Sequence, residues 1–288
     1  MKDNSVANGI LKIATCQFAV SESVEQNSKY IQEFLEKAEK LDADIVHFSE
    51  CALSGYAGPD FDSFEGYNWP LLVEETKKIM ALAGKLQLWV VLGSSHRLTA
   101  PNKPHNCLYL INPAGQIADR YDKRFCTESD LNYYTPGNRF VTFELNGVKC
   151  ALLICFDLRF PELYKELKKL NVQCIFQSFY NARQKEQSVH RHIIRQTMQS
   201  NAASNYFWAS VANSSGEIAP YPSCFIQPDG EIINELKLNR PGIMVNAVDT
   251  SLSFYDPSEK FRALAMKGIL TNGPQKLDDP RSKDTKNL

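Results

Sequence analysis

What most restricts the fold of this chain is an order of elements that occurs twice: an apolar run short enough for a strand, a stretch with one apolar helix face, then another apolar run. Leu11 to Phe18 reads as a strand. Val24, Ile31, Phe34, Leu35, Ala38 and Leu41 then recur at helical spacing before Asp44 opens the run Ile45-Val46-His47-Phe48. A second helix is expected over Leu71 to Leu86, with Leu72, Ile79, Met80 and Ala83 as its inner face, followed by a buried strand over Leu88 to Leu92. Strands that follow one another through a helix lie parallel, and a sheet of such strands is stable only when helices cover it.

Hairpins add antiparallel strands to this pattern. Cys107 to Ile111 and Gln116 to Arg120 flank the turn Asn112-Pro113-Ala114-Gly115, and Val141 to Leu145 and Val148 to Ile154 flank Asn146-Gly147, two residues that tolerate positive φ. Further on, Pro161 to Leu170 reads as a helix, Val172 to Phe179 as a strand, Glu186 to Ala203 as a helix and Phe207 to Ala212 as a strand, with a third hairpin turning at Pro228-Asp229-Gly230. The sum is an α/β fold with mixed sheets covered by helices, in a single domain over residues 1–288. The stretch Asp256 to Leu288 is charged and holds Pro274 and Pro280, so it is expected as a C-terminal tail that wraps the surface or ends in disorder.

Composition narrows the function. A formal net charge of -1, with no Lys/Arg-rich run interleaved with aromatics, gives no footprint for nucleic acid. Met1 to Ile10 lacks the pattern of a secretory signal, and no window approaches the ~20 apolar residues of a membrane span, so a cytoplasmic protein without a membrane partner is expected. Eight cysteines sit mostly in strand-like runs and form no CxxC pair, and HxxxH and H-x-E patterns and Gly-rich phosphate loops are missing. Neither metal nor cofactor is therefore expected.

Three residues at strand ends carry the candidate chemistry. Cys155 closes the buried strand Lys149 to Ile154, and Phe156 to Glu162 turns into a helix, which places a thiol at a strand-to-helix elbow where free backbone N–H groups can hold an oxyanion. A free thiol is mostly protonated at neutral pH, so a nucleophilic role requires a base nearby. Glu50 closes the strand Asp44 to Ser49 ahead of Cys51-Ala-Leu-Ser-Gly-Tyr56, and a carboxylate at a buried strand end is costly unless it is paired. Lys123 ends the hairpin strand Asp119 to Asp122. Taken singly, each has a bland reading: small strand residue, strand meeting water, exposed base.

Together, Phe48-Ser-Glu50-Cys-Ala-Leu-Ser-Gly-Tyr56, Tyr121-Asp-Lys123-Arg-Phe and Leu153-Ile-Cys155-Phe-Asp-Leu-Arg159-Phe-Pro-Glu162 resemble the nitrilase superfamily of carbon-nitrogen hydrolases, and the last is similar to the branch of ω-amidases and deaminated-glutathione amidases. Weaker similarity runs from Leu11 to Asp249. The resemblance implies a nitrilase-like four-layer α-β-β-α sandwich, a homodimer or higher homo-oligomer, and a Glu50–Lys123–Cys155 triad that hydrolyses a small linear amide through a thioester, releasing ammonia or an amine. N-carbamoyl and nitrile substrates share that logic and stand as alternatives. The family's second glutamate, six residues before a Pro-Gly pair, is ambiguous in Glu128-Ser-Asp130 ahead of Pro136-Gly137: spacing selects Asp130, residue type Glu128, and Glu128 is the expected auxiliary residue. Tyr56, Phe156 through its backbone N–H, Arg159, Phe179, Tyr180 and Asn181 are the expected substrate-side residues, Arg159 as a clamp for a carboxylate. Rival readings are a Cys-His pair using His190 or His192 and a catalytically silent interaction protein.

Overall fold

The computed structural model describes residues 9–181, 190–273 and 278–287. In chain order the elements are β1 (Ile10–Gln17), α1 (Val24–Lys40), β2 (Ile45–His47), α2 (Trp69–Leu86), β3 (Trp89–His96), β4 (His105–Ile111), β5 (Ile117–Asp122), β6 (Thr142–Leu145), β7 (Val148–Ile154), α3 (Pro161–Lys169), β8 (Cys174–Ser178), α4 (His190–Asn205), β9 (Trp208–Ala212), β10 (Cys224–Ile226), β11 (Ile232–Glu235), β12 (Gly242–Asp249), α5 (Glu259–Met266) and α6 (Pro280–Lys283). Residues 186–189 of the helix expected from Glu186 lie outside the described residues.

Two six-stranded sheets form, in the orders β12-β1-β2-β3-β4-β5 and β11-β10-β9-β8-β7-β6. In each, three central parallel strands, β1-β2-β3 or β7-β8-β9, are flanked on both sides by antiparallel strands. Outer-facing Ala14, Cys16, Val46, Val90, Leu92, Tyr109 and Ile111 of the first sheet bury against Ile31, Phe34, Leu35 and Ala38 of α1 and Leu72, Ile79 and Ala83 of α2. On the second sheet, Tyr164 of α3 and Met198 and Ala202 of α4 lie over Ile175, Gln177, Ala209 and Val211. The order of layers is thus the expected α-β-β-α sandwich. β12 is a strand that the sequence reading leaves out, and it pairs antiparallel with β1 over its full length.

The faces that meet between the sheets are partly polar. His47 is buried there with Nδ1 2.8 Å from Ser210 Oγ and Nε2 2.9 Å from Ser178 Oγ, and Thr15 Oγ1 lies 2.7 Å from Ser210 Oγ. Burial pushes the His47 pKa down to about 3, so the ring is neutral and serves to register one sheet on the other. Among the described residues no helix is long and apolar enough to cross a membrane.

Residues Phe254–Leu288 form a second compact unit, in which α5 and α6 are short exposed helices. The helices in this stretch were not foreseen from its charge and prolines.

Candidate active site

Glu50, Lys123 and Cys155 each stand just beyond the end of a strand, at β2, β5 and β7. The approach of Glu50 depends on Gly93: a Cβ built on Gly93 would lie 2.0 Å from Ser49 O, so only glycine lets β3 run against the segment that carries Glu50. The Glu50 carboxylate is fully buried and tied on both oxygens. Oε1 accepts from Lys123 Nζ and from Asn106 Nδ2, each at 2.7 Å, and Oε2 accepts from the backbone N–H of Tyr180 at 2.9 Å.

Lys123 is 1% exposed and spends its donors on Glu50 Oε1, on Asp130 Oδ2 at 2.8 Å and on Tyr56 Oη at 3.2 Å. Burial alone would lower its pKa. The charges of Glu50, of Cys155 as thiolate and of Asp130 outweigh burial and hold it well above its usual value, so the ammonium stays charged.

Glu128 requires a correction. It lies exposed on a turn, whereas Asp130 is buried on Lys123 and also accepts from Tyr56 Oη at 2.7 Å. Gly137 N–H donates to Lys123 O at 2.8 Å, and a Cβ on Gly137 would lie 2.4 Å from Asp122 O, so the Pro-Gly pair is pressed onto the lysine segment and the loop length between them fixes which residue returns to Nζ. Thr127 completes the selection, its N–H donating to Asp130 Oδ2 at 3.0 Å and its Oγ1 accepting from Asp130 N at 3.1 Å. Spacing, not residue type, was the informative signal. Asp130 is held below its usual pKa because Lys123 and these donors outweigh burial.

Cys155 has φ +39, in the left-handed region that a non-glycine residue adopts only under constraint, and it begins a single tight turn, Cys155–Arg159, ahead of Pro161 and α3. Asp157 supplies the constraint. Fully buried, its carboxylate accepts from Ile154 N at 3.0 Å, Phe125 N at 2.9 Å and Tyr121 Oη at 2.8 Å, so one side chain ties the elbow to the segment after Lys123. Phe125 stacks on Phe160 at 3.5 Å between ring centroids and joins the same two segments.

Burial lifts the Asp157 pKa from 3.8 to about 6 in spite of its three donors. A raised carboxyl pKa means that the folded state holds the proton more tightly, so its contribution to stability is full below about pH 4 and is lost as pH rises through 6. Asp157→Asn removes that dependence. The stability of the native protein relative to this variant is expected to fall by about 2 kcal/mol between pH 4 and pH 7, as read by urea denaturation at each pH. A constant difference would contradict the assignment.

Cys155 as a residue is half-buried, and burial of the thiol followed by the charge of Glu50 push its pKa well above normal, with Lys123 only partly offsetting them. Beyond burial, Glu50, Lys123 and Asp130 are thus the charges that act most strongly on the sulfur. The resting group is a thiol within the field of a buried carboxylate and a buried ammonium.

The substrate-side residues divide. Tyr180 holds Glu50 through its backbone, and its hydroxyl donates to Asp60 Oδ1 at 2.6 Å. Asn181 Nδ2 is 3.9 Å from Cys155 Sγ. Tyr56 serves Lys123 and Asp130. Phe179 reaches the site through its backbone O, which accepts from Glu50 N, while its ring is fully buried. Phe156 is half-buried with its ring edge-on to Phe160. Arg159 is half-buried and makes no ion pair among the described residues. His192 is exposed on α4, and the side chain of His190 lies outside the described residues. Asn106, Asp157 and Tyr221 were missed; a lone Asn inside the apolar run His105 to Ile111 was the available signal for the first, since a buried polar side chain needs a partner.

The sequence pattern of the carbon-nitrogen hydrolase family matches residues 12–253. Among curated proteins, nitrilase homolog 2 of Dictyostelium discoideum is 25% identical over 174 residues, 57% of this chain and 52% of that protein. The 2-oxoglutaramate amidase of Bacillus subtilis is 31% identical over 153 residues, 52% of this chain and 57% of that one. The chain thus spans about half the length of these curated relatives. Among solved structures, a mutant of the Nesterenkonia AN1 amidase from the nitrilase superfamily superposes with a TM-score of 0.73 at 17% identity, covering 85% of this chain and 92% of that one, a likeness of fold.

Proposed function

We propose, from the premise that this chain belongs to the carbon-nitrogen hydrolase family, that it hydrolyses the carbon-nitrogen bond of a small linear amide with Cys155 as nucleophile. The observation that carries this reading is the buried ion pair of Lys123 and Glu50 at 2.7 Å, whose two charges both act on the Cys155 sulfur. A buried pair of this kind is an expensive way to stabilise a fold, and an acyl transfer site needs both halves of it.

Among the described residues Glu50 Oε2 has one bond, from Tyr180 N, and it offers a lone pair to take the thiol proton as sulfur attacks the amide carbon. The tetrahedral oxygen takes one hydrogen bond from Lys123 Nζ, in place of the long one to Tyr56 Oη at 3.2 Å, and a second from the backbone N–H of Phe156. Glu50 then returns the proton to the departing nitrogen, the carbon-nitrogen bond breaks, and ammonia or an amine leaves a thioester on Cys155. Water, deprotonated by the same Glu50, attacks the thioester and releases the acid and the thiol. Because the resting sulfur is a protonated thiol, proton transfer belongs to the attack itself. Asp130, Tyr56 and Asn106 keep Lys123 and Glu50 in register.

Arg159 lies four residues beyond the nucleophile with its guanidinium unpaired among the described residues, which supports its role as the clamp for a carboxylate at the far end of the substrate. A homodimer or larger homo-oligomer in the cytoplasm is the assembly and location proposed with this reading.

Ammonia release measured across short ω-amides, N-carbamoyl amino acids and nitriles tests the reading. Turnover of ω-amides bearing a distal carboxylate, at least about tenfold faster than of the other two classes, is expected, in line with a charge-assisted contact to Arg159. Turnover confined to carbamoyl compounds or nitriles would replace the amide assignment.

A further inference from the structure

One buried hydroxyl close to the sulfur has no part in the mechanism above. Tyr221, in the loop between β9 and β10, is 1% exposed, and its Oη accepts a hydrogen bond from Asn181 Nδ2 at 2.6 Å. The same nitrogen is the one 3.9 Å from Cys155 Sγ, so the phenol oxygen stands two contacts from the nucleophile. Burial, and then the negative charge that Cys155 acquires as thiolate, hold the phenol well above its usual pKa, and it keeps its proton. Among the described residues that proton has no acceptor. An O–H buried without an acceptor costs about 1–3 kcal/mol, so a ligand atom able to accept it would be favoured there.

The hydroxyl is held in place from several sides. Asn213, fully buried at the end of β9, accepts from Asn181 N through Oδ1 and donates through Nδ2 to Tyr221 O, both at 2.9 Å. The Tyr221 ring stands edge-on to Phe179 at 5.7 Å. A donor fixed in this manner reads substrate structure, because a ligand that lacks the matching acceptor leaves it unsatisfied. The origin of the groups indicates which substrate atom it reads. Glu50 and Lys123 reach the sulfur from the first sheet, and the tetrahedral oxygen falls to Lys123, whereas Asn181 and Tyr221 belong to the second sheet and its loops.

We propose that Tyr221 is a specificity-determining residue that donates its O–H to an acceptor on the acyl part of the substrate beside the scissile carbonyl, an oxo or hydroxyl oxygen on the adjacent carbon. This rests on the reading of Cys155 as the nucleophile. The favoured substrates are accordingly 2-oxo- or 2-hydroxy-substituted acyl amides.

Tyr221→Phe removes the hydroxyl and leaves the ring packed on Phe179. The test measures how much 2-hydroxypropanamide, or propanamide, halves the rate at which 2-chloroacetamide alkylates Cys155, with the labelled residue identified by peptide mass spectrometry. In the native protein 2-hydroxypropanamide is expected to protect at a concentration at least about tenfold lower than propanamide, and in Tyr221→Phe the two are expected to protect equally. Equal protection in the native protein, no protection by either amide, or a preference that survives in Tyr221→Phe overturns the proposal. Failure of the underlying reading has a separate sign: the label then falls on a residue other than Cys155, whatever the Tyr221 variant does.

Discussion

Cys155→Ala loses amide hydrolysis by a factor on the order of 10⁴ or more in kcat, while its melting temperature stays within a few degrees of the native value. Alanine removes the sulfur alone, and the elbow that presents it is held by Asp157 and by the Phe125–Phe160 stack, neither of which the change touches. Cys155→Ser is expected to be nearly as inactive. The site gives up its proton reluctantly, since burial and the Glu50 charge already raise the thiol, and a hydroxyl is a far weaker acid in the same surroundings. Ammonia release and thermal denaturation of both variants check this, and a Cys155→Ala protein that keeps most of its activity would remove the nucleophile from the account.

Lys123→Met produces the largest loss of stability expected from a single change in the site. The side chain is buried between the carboxylates of Glu50 and Asp130, and its removal leaves two buried like charges facing a gap that, among the described residues, the dipoles of Asn106, Tyr56 and the Tyr180 and Thr127 N–H groups address. Breaking a buried ion pair from one side typically costs about 3–5 kcal/mol. The deficit depends on pH in a defined sense. In the native protein Asp130 has a lowered pKa and contributes stability that is present at neutral pH and lost as pH falls. Without the ammonium, burial is no longer outweighed at Asp130 and its pKa is raised, so the variant loses stability as pH rises instead, and the gap between the two proteins is widest near neutrality. Asp130→Asn placed on top of Lys123→Met is expected to recover part of the loss, because it removes one of the two repelling charges. Activity falls separately, by at least the 10²- to 10³-fold typical of a missing oxyanion donor. Urea denaturation at pH 5 and pH 7.5 checks the first effect; a deficit below about 1 kcal/mol at both would show that the lysine is not the cation that holds this cluster together.

Much of the scaffold was legible because the parallel strands β1 to β3 and β7 to β9 are buried on both faces and read as short apolar runs, while α1 shows one apolar stripe. The long strand β12 was missed for a local reason: Asn246 breaks its apolar run, and its pairing with β1 joins residues more than two hundred positions apart. The Glu50, Lys123 and Cys155 positions stood out as chemically odd residues at the ends of apolar strands, where a charge or thiol has to be paired to persist. Glu128 shows where residue type misleads, because loop length decided the matter and the shorter Asp130 reaches Lys123. Asn106, Asp157, Asn213 and Tyr221 were beyond reach for another reason. Each acts through a partner from a different part of the chain, Glu50, Phe125, Asn181 and Asn181 respectively, and no local pattern in the sequence encodes such a pairing.

The most direct test uses limited alkylation, since 2-chloroacetamide is both an amide shaped for the site and an electrophile. Only Cys126 and Cys155 among the eight cysteines are other than buried, and Cys126, with its pKa pushed up to about 12 by burial, is an internal control for exposure alone. Peptide mapping at increasing times of exposure is expected to find the adduct on Cys155 first, with activity lost in one-to-one proportion. Inactivation that tracks Cys126 while Cys155 stays free, or full activity with Cys155 completely alkylated, would contradict the account.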